Sequence, residues 1–264
     1  MGSLEKEVFN TNQIDISELS SGIHLIKINA TDSTNTYLKQ LLGETLVTDF
    51  SVVITKNQTQ GKGQRGEKWI SEKGKNLTFS ILKIKPLIAV DRQFLLSSLV
   101  SLSIIKTLES YNIPNLSIKW PNDILSDHHK IAGILIENII KTQHIESSVI
   151  GIGLNVNQNT FVGLPKVTSL KNILGRSVDM DELLHQLIHK IQHYFSVYEK
   201  NGEDILNAEY ESYLFRKDKP STFELPDHSL FTGIIRGVTD TGKLRLQTEN
   251  ATKEFDLKEL RLVY

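Results

Sequence analysis

The sequence predicts an α/β (α+β) fold in which a domain of about 215 residues precedes a small C-terminal β-barrel. Over most of the chain, runs rich in β-branched residues alternate with apolar residues at helical spacing. After Arg216 the pattern changes to short strand-like runs separated by turn residues. The 264 residues are enough to bury one full domain core and a smaller second core.

Strand-like and helical segments follow one another through the first domain. Asp32 and Ser33 are suitable N-cap residues for a helix over 34–42. Asp179 and Glu182 have the spacing of a capping box at the start of an amphipathic helix over 179–198. A largely buried helix is predicted over 91–111. Runs of apolar and β-branched residues predict strands at 51–56, 76–83, 116–120, 131–140 and 147–156.

The last part of the chain has the pattern of a compact β domain. Its turn signals are the Asp-Thr-Gly sequence at 240–242 and Asn250. The strand-like runs on either side of these turns are 231–238, 243–248, 254–257 and 259–263. We therefore expect about five short strands after residue 216.

Composition and charge exclude several classes of function. Hydrophobic residues make up 39% and charged residues 23% of the chain, which is typical of a globular protein. The formal net charge of −1 argues against a surface built to bind nucleic acid. The chain has no cysteine, which excludes disulfides, thiol catalysis and cysteine-based zinc sites. Because no long apolar run or signal segment is present, we expect a cytoplasmic protein without a membrane contact.

A polar, glycine-rich loop is predicted between Lys56 and Lys75. Gly61, Gly63 and Gly66 match the dinucleotide-binding pattern in form, but no helical run follows them, and no Walker A or kinase signature is present. The loop holds six basic residues against two acidic ones. Free glycine backbone and clustered cations suit phosphate recognition, and a solvated basic loop is the alternative. Trp69 favours a loop that orders on a ligand.

Two further clusters carry polar groups next to predicted strands. The segment Lys119–Asp123 has good turn chemistry, so a simple hairpin explains it without any function. Lys130, however, enters a run typical of a buried strand, where an ammonium group is costly unless an anion meets it. A lysine in such a place is a candidate electrostatic catalyst. Glycines and amides at 151–157 form a weaker signal at the end of a strand.

Three histidines repeat every four residues along the last long predicted helix. His185, His189 and His193 lie opposite the apolar stripe of that helix. A solvated helix face explains this pattern better than a metal site does.

Taken together and in this order, the polar segments resemble those of the biotin protein ligases. Lys130 follows Lys119 by eleven positions, which is the family's spacing. Lys62 and Gln64 depart from the pattern, because they stand where the family has arginine. The matching segments are DSTN at 32–35, Gln58, GKGQRGEKW at 61–69, NLTFS at 76–80, KWPND at 119–123, KIAGIL at 130–135 and GIGLNVN at 151–157.

The resemblance implies a fold and a reaction. Residues 1–216 would form a mixed-sheet catalytic domain with flanking helices, like that of class II synthetases, and residues 217–264 an SH3-like β-barrel. The enzyme would join biotin to ATP, giving biotinyl-5′-AMP and pyrophosphate, and would pass the biotinyl group to a carrier lysine. Lys130 would stand between the biotin carboxylate and the α-phosphate. Basic loop residues with Mg²⁺ would neutralise the pyrophosphate, and the loop would exclude water from the acyl-adenylate.

The resemblance also assigns residues to ligands. The catalytic residues would be Lys130 and Asp123, with Asp123 either steering the carrier lysine or holding the metal ion. The biotin-binding residues would be Ser33, Thr34, Asn35, Gln58, Lys62, Gly63, Gln64 and Lys130. The ATP-binding residues would be Arg65, Gly66, Lys68, Trp69, Asn122 and Asn155. Lys62 and Gln64 lack the planar fork of arginine, so we expect looser contacts to the adenylate.

The expected partner is the biotin carboxyl carrier domain of a biotin-dependent carboxylase. About 30 residues precede the first motif and show no helix-turn-helix pattern, so we expect a ligase that does not bind DNA. The oligomeric state is open between a monomer and a homodimer. Two alternatives stay open: a lipoate or other acyl-acid protein ligase, and a non-catalytic biotin sensor.

Overall fold

A computed structural model describes residues 15–19, 23–44, 47–257 and 259–264 of the chain. The side chains of residues 15–19 and of Arg65 lie outside this description. In the part described, none of the helices is long and apolar enough to cross a membrane.

An eight-stranded mixed sheet forms the centre of the first domain. Its strand order is β1-β2-β3-β4-β8-β7-β6-β5. Strands β2 and β3 run parallel, and the other neighbours in the sheet pair antiparallel. The strands are β1 (Asp15–Leu19), β2 (Ile23–Thr31), β3 (Val52–Gln58), β4 (Leu77–Ile84), β5 (Leu116–Lys119), β6 (Asp123–Ser126), β7 (His129–Lys141) and β8 (His144–Leu154).

Helices pack on both faces of this sheet. The helices are α1 (Thr34–Glu44), α2 (Phe94–Ser110), α3 (Leu170–Leu174), α4 (Met180–Asn201) and α5 (Asp204–Ser212). Helices α2 and α4 contact each other and bury the larger core against one face. Helix α1 packs on the opposite face against β3, β4 and β8, and its Leu38 joins a smaller apolar cluster there. The space beside α1 on this second face holds the candidate site.

The predicted helices and strands of the first domain are confirmed, with shifted ends. Helix α2 begins at Phe94 because residues Val90–Arg92 form a separate 3₁₀ turn. Asp179 caps α4 by accepting hydrogen bonds from the amides of Asp181 and Glu182. In a capping box the Glu182 carboxylate would accept a hydrogen bond from the backbone amide of Asp179. Here the carboxylate accepts from Gln186 Nε2 at 3.0 Å instead.

The C-terminal β domain is confirmed as a five-stranded antiparallel sheet of order β12-β11-β10-β9-β13. Its strands are β9 (Pro220–Glu224), β10 (Leu230–Val238), β11 (Leu244–Gln247), β12 (Thr252–Phe255) and β13 (Arg261–Val263). The predicted domain boundary after residue 216 stays a prediction. The β10–β11 turn contacts the first domain: Trp120 Nε1 donates to the Gly242 carbonyl at 2.9 Å, and Arg92 pairs with Asp240 at 2.6 Å.

Replacing Trp120 by phenylalanine is expected to lower the free energy of unfolding by about 1–3 kcal/mol, because the buried Gly242 carbonyl loses its donor. Denaturant unfolding measures this change. The control is Asp240→Asn on the same turn, where the aspartate side chain is 69% exposed and the ion pair contributes little. Equal losses in the two variants would contradict the importance of the indole hydrogen bond.

Candidate active site

A cavity of about 430 Å³ lies on the α1 face of the large sheet. Most of the predicted site residues line it: Ser33, Thr34, Asn35, Gln58, Lys62, Gly63, Gln64, Lys68, Trp69, Asn122, Asp123, Lys130 and Asn155. Gly66 is not among the lining residues, since it forms an exposed turn with φ of 84°. The side chain of Arg65 lies outside the described residues. The roles assigned to these residues stay predictions.

Three glycines form the floor of the cavity. Gly133 of β7 and Gly153 of β8 stand opposite each other in the sheet, and Gly151 lies two residues before Gly153 on the same face. A Cβ atom on Gly153 would lie 2.2 Å from a ring carbon of Trp69, and one on Gly151 would lie 2.4 Å from Asn35 Oδ1. The side chains of Trp69 and Asn35 can therefore lie directly on the strands only because Gly153 and Gly151 have no side chains.

Neutral hydrogen-bonding groups surround one end of the cavity. The amide of Thr34, at the start of α1, donates to Gln58 Oε1 at 2.9 Å. Ser80 Oγ of β4 lies 2.7 Å from Thr34 Oγ1 and 2.6 Å from Asn35 Oδ1. Ser33, Thr34 and Asn35 are each 3% exposed. This end suits a compact, uncharged polar ligand group.

Charged groups surround the other end. Lys130 Nζ lies 2.5 Å from Asp123 Oδ1, and Lys119 Nζ lies 3.9 Å from Asp123 Oδ2. Burial lowers the pKa of Lys119, and the nearby charge of Lys130 lowers it further, while Asp123 opposes the shift. Two cations share a single carboxylate here, which leaves excess positive charge for an anionic ligand.

The glycine-rich loop folds back on itself over the floor. Lys62 and Lys68 form an antiparallel bridge, and the Trp69 amide donates to the Gly61 carbonyl at 3.0 Å. This places the Trp69 indole on Gly153, with the Lys130 ammonium 5.7 Å from the ring centroid. The described residues offer no hydrogen-bond partner for the buried Trp69 Nε1. Trp69 therefore packs on the sheet as part of a folded loop, and the ordering of this loop on a ligand stays a prediction.

Two asparagines lie between the loop and the following strands. Asn122 Nδ2 donates to the Ile134 carbonyl at 2.7 Å, and Asn155 Nδ2 donates to the Thr168 carbonyl at 3.1 Å. The Oδ1 atom of Asn155 is buried and lacks a donor within the described ranges. It can therefore accept a hydrogen bond from a ligand in the cavity.

The side chains of the site do not form a metal centre by themselves. Among the described residues, no group of three histidine, aspartate or glutamate side chains is placed to hold a metal ion. Both carboxylate oxygens of Asp123 face lysine ammonium groups, which does not suit coordination of a divalent cation. Both roles predicted for Asp123, steering the carrier lysine and holding a metal ion, stay predictions.

Sequence reasoning did not identify every lining residue. Lys119, Gly133 and Gly151 lie in segments that the resemblance matches, but none of them is assigned to a ligand from the sequence. Thr78 and Leu164 also line the cavity. The glycines had a usable signal, because Gly133, Gly151 and Gly153 interrupt strands rich in β-branched residues. Leu164 follows a loop of irregular sequence and carries no such signal.

Comparison with known proteins finds similarity to one family over part of the chain and to individual ligases over most of it. The model of the biotin/lipoate A/B protein ligase family matches residues 28–155. The bifunctional ligase/repressor BirA of Salmonella typhimurium is 28% identical over 253 residues, covering 93% of this chain and 76% of its own length. The biotin–[acetyl-CoA-carboxylase] ligase of Mycobacterium tuberculosis is 27% identical, covering 84% of this chain and 82% of its own length.

Solved structures agree with the sequence comparison. The biotin protein ligase of Aquifex aeolicus, in complex with biotin and ATP, superimposes with a TM-score of 0.76 at 27% identity. The match covers 90% of this chain and 98% of that structure. The residues matched by the family model, 28–155, include both lysines and the aspartate of the charged end as well as the glycine-rich loop. Residues 28–155 therefore match the biotin/lipoate A/B protein ligase family, and proteins similar to most of the chain in sequence and structure are biotin protein ligases.

Proposed function

We propose that this protein activates biotin with ATP to biotinyl-5′-AMP and transfers the biotinyl group to a lysine of a biotin carboxyl carrier domain. The observation that carries this proposal is the division of one cavity into a neutral polar end and a doubly cationic end. Biotin has the same division, with a neutral urea ring at one end and a carboxylate at the other. The relatives' names and the ligands of the Aquifex enzyme support the assignment.

The first step joins two anions. An oxygen of the biotin carboxylate attacks the α-phosphorus of ATP, the bond to the β-phosphate oxygen breaks, and pyrophosphate leaves. The two negative groups repel each other strongly in a site that excludes water. The Lys130 ammonium, fixed by Asp123 at 2.5 Å, supplies positive charge where the two groups meet.

The second step transfers the acyl group. The amine of the carrier lysine attacks the carbonyl carbon of biotinyl-5′-AMP, the bond to the phosphate oxygen breaks, and AMP leaves. The carrier lysine attacks as the neutral amine after its ammonium form has given a proton to water, and the proton that the nitrogen loses on attack passes to the departing AMP phosphate or to water. Asp123 lies at the charged end of the cavity and would orient the incoming amine toward the carbonyl.

The nucleotide and the intermediate need protection from water. The 61–69 loop covers the glycine floor, and Trp69 provides a flat apolar surface beside the polar atoms of Asn122 and Asn155. An adenine ring can stack on the indole while its amino group donates to Asn155 Oδ1. Loop closure would keep the mixed anhydride from hydrolysis.

A lipoate ligase is the nearest alternative function. Lipoate carries an apolar dithiolane ring in place of the urea ring, and it would offer no partner to the NH₂ group of Gln58, whose Oε1 already accepts from the Thr34 amide. The neutral polar end of the cavity therefore favours biotin. For the assembly, we propose a monomer or a homodimer that acts on the carrier domain without binding DNA.

Incubation of the purified protein with Mg-ATP and either biotin or lipoate tests the proposal, with mass spectrometry of the small-molecule products. We expect biotinyl-5′-AMP in the biotin sample and no adenylate in the lipoate sample. A lipoyl-adenylate without biotinyl-5′-AMP would favour the lipoate alternative. Biotin binding without any adenylate or pyrophosphate release would favour the sensor and contradict the proposed activity.

A further inference from the structure

A series of hydrogen bonds connects the neutral end of the cavity to a charged pair outside it. Asn35, which is 3% exposed, lies against Gly151, and its Nδ2 donates to Glu137 Oε2 at 2.8 Å and to the Leu135 carbonyl at 3.3 Å. Glu137 Oε1 accepts from Lys39 Nζ at 2.7 Å. Glu137 does not line the cavity, so any influence on the ligand must pass through Asn35.

Glu137 fixes the orientation of the Asn35 amide. An ionised carboxylate and a backbone carbonyl only accept hydrogen bonds, so the NH₂ group of Asn35 must face them. The Oδ1 atom of Asn35 must then face Ser80 Oγ, which lies 2.6 Å away. A hydroxyl has one proton, and the amide oxygen cannot donate. The geometry allows Ser80 to donate to either Asn35 Oδ1 or Thr34 Oγ1, and its single proton must go to Asn35 because an amide oxygen cannot donate. The Thr34 hydroxyl then donates to Ser80 across 2.7 Å, in preference to Gln58 Oε1 at 3.4 Å.

Hydrogen-bond direction also fixes the amide orientation of Gln58, the last side chain of the series. The Thr34 amide donates to Gln58 Oε1, so the NH₂ group of Gln58 points away from α1. With the Thr34 proton directed to Ser80, Thr34 keeps a lone pair and Gln58 keeps its NH₂ group, so two residues that line the cavity offer one acceptor and one donor. A urea ring needs this combination, because its N–H groups donate and its carbonyl accepts.

The charge on Glu137 is maintained by its neighbours. Burial raises the pKa of this carboxyl, but the hydrogen bonds from Lys39 and Asn35 and the charge of Lys39 outweigh burial and bring the pKa below its usual value. The carboxylate is therefore ionised near neutral pH and acts as an acceptor only.

We propose that Glu137 is a positioning residue that sets the donor and acceptor polarity of the biotin-ring end through Asn35 and Ser80. It thereby determines the preference for a urea ring, whose carbonyl accepts a hydrogen bond, over a ring that has a donor at the position of that carbonyl. This inference depends on the proposed function, because it assumes that biotin occupies the cavity. Glu137 does not touch the ligand, so its removal affects recognition of the ring and leaves the chemistry at Lys130 in place.

Glu137→Gln tests the inference, because glutamine has the same shape and can present either a donor or an acceptor to Asn35. Calorimetry measures binding of biotin and of 2-iminobiotin, in which nitrogen replaces the urea oxygen. We expect the dissociation constant for biotin to rise about tenfold, the equivalent of one hydrogen bond, and that for 2-iminobiotin to change less than about twofold. The discrimination between the two ligands therefore shrinks.

Two further variants distinguish a change in hydrogen-bond polarity at the biotin-ring end from a loss of protein stability. Ser80→Ala breaks the series nearer the ligand and keeps the charged pair, so we expect the same loss of discrimination. Lys39→Met removes the ion pair, but both partners are about one-third exposed, so we expect less than about threefold weaker biotin binding and unchanged discrimination. Thermal melting shows whether each variant is folded, and Ser80→Ala provides the test if Glu137→Gln is not.

The outcomes distinguish this inference from the proposed function. Equal losses for both ligands in Glu137→Gln and Ser80→Ala, or no loss for either ligand, would overturn the positioning role while biotin binding by the unmodified protein stands. No binding of biotin by the unmodified protein would overturn both the proposed function and the inference built on it.

Discussion

Replacing Lys130 by alanine is expected to lower the rate of biotinyl-5′-AMP formation by about 10²–10³-fold, the range for losing one preorganised charged donor. The ammonium group lies 2.5 Å from Asp123 and within the cavity, so its removal leaves that carboxylate without its nearest cation and the two substrate anions without a counter-charge. Single-turnover pyrophosphate release measures the rate of this step.

A matched control separates this local effect from a general loss of positive charge. Lys141→Ala removes the same charge from a side chain that is 74% exposed and paired with Glu146 at the surface. We expect adenylate formation to be unchanged in that variant. Near-normal adenylate formation by a folded Lys130→Ala protein would remove Lys130 from the mechanism.

Gly153→Ala is expected to lower adenylate formation by about 10²-fold, the cost of misplacing a reacting group by about 1 Å. The new Cβ atom would stand 2.2 Å from a ring carbon of Trp69, so the indole must leave the cavity floor and carry the covering loop with it. The same single-turnover assay measures the effect, and the ATP concentration dependence reports on the nucleotide side of the cavity.

The control for this substitution is another glycine-to-alanine change. Gly43 lies in α1, and a Cβ atom there would meet no atom within 4 Å, so Gly43→Ala should leave activity intact. Adding Trp69→Ala to Gly153→Ala should not lower the rate further if the clash with the indole is the cause. Full activity of Gly153→Ala would show that adenylate formation does not require the Trp69 indole to pack on the cavity floor.

The fold class and most elements of the first domain could be predicted because their signals are local. Helix α4 has an apolar stripe and an N-cap aspartate, and β3 and β4 have runs of β-branched and apolar residues. Strand β2 was not predicted, although its buried and exposed residues alternate in part. Strand β6 has four residues, which is too short for periodicity to identify.

Most of the predicted site residues line one cavity, but the sequence did not predict how they are arranged in it. The motif residues that line the cavity are far apart in sequence, and the pairing of β7 with β8 brings Gly133 opposite Gly153. The contact of Asn35 with Glu137 crosses 102 positions and depends on the packing of α1 on the sheet. Such contacts follow from tertiary structure, and a single sequence does not contain them.

The contact between Trp120 and the β10–β11 turn has a consequence for how the protein melts. The apolar core against which α2 packs continues into the second sheet and includes Phe223, Ile235 and Leu246. Elements that share one apolar core are expected to unfold in a single cooperative transition. We therefore expect heating to unfold the cavity and the C-terminal sheet together, because side chains from both parts belong to the same core.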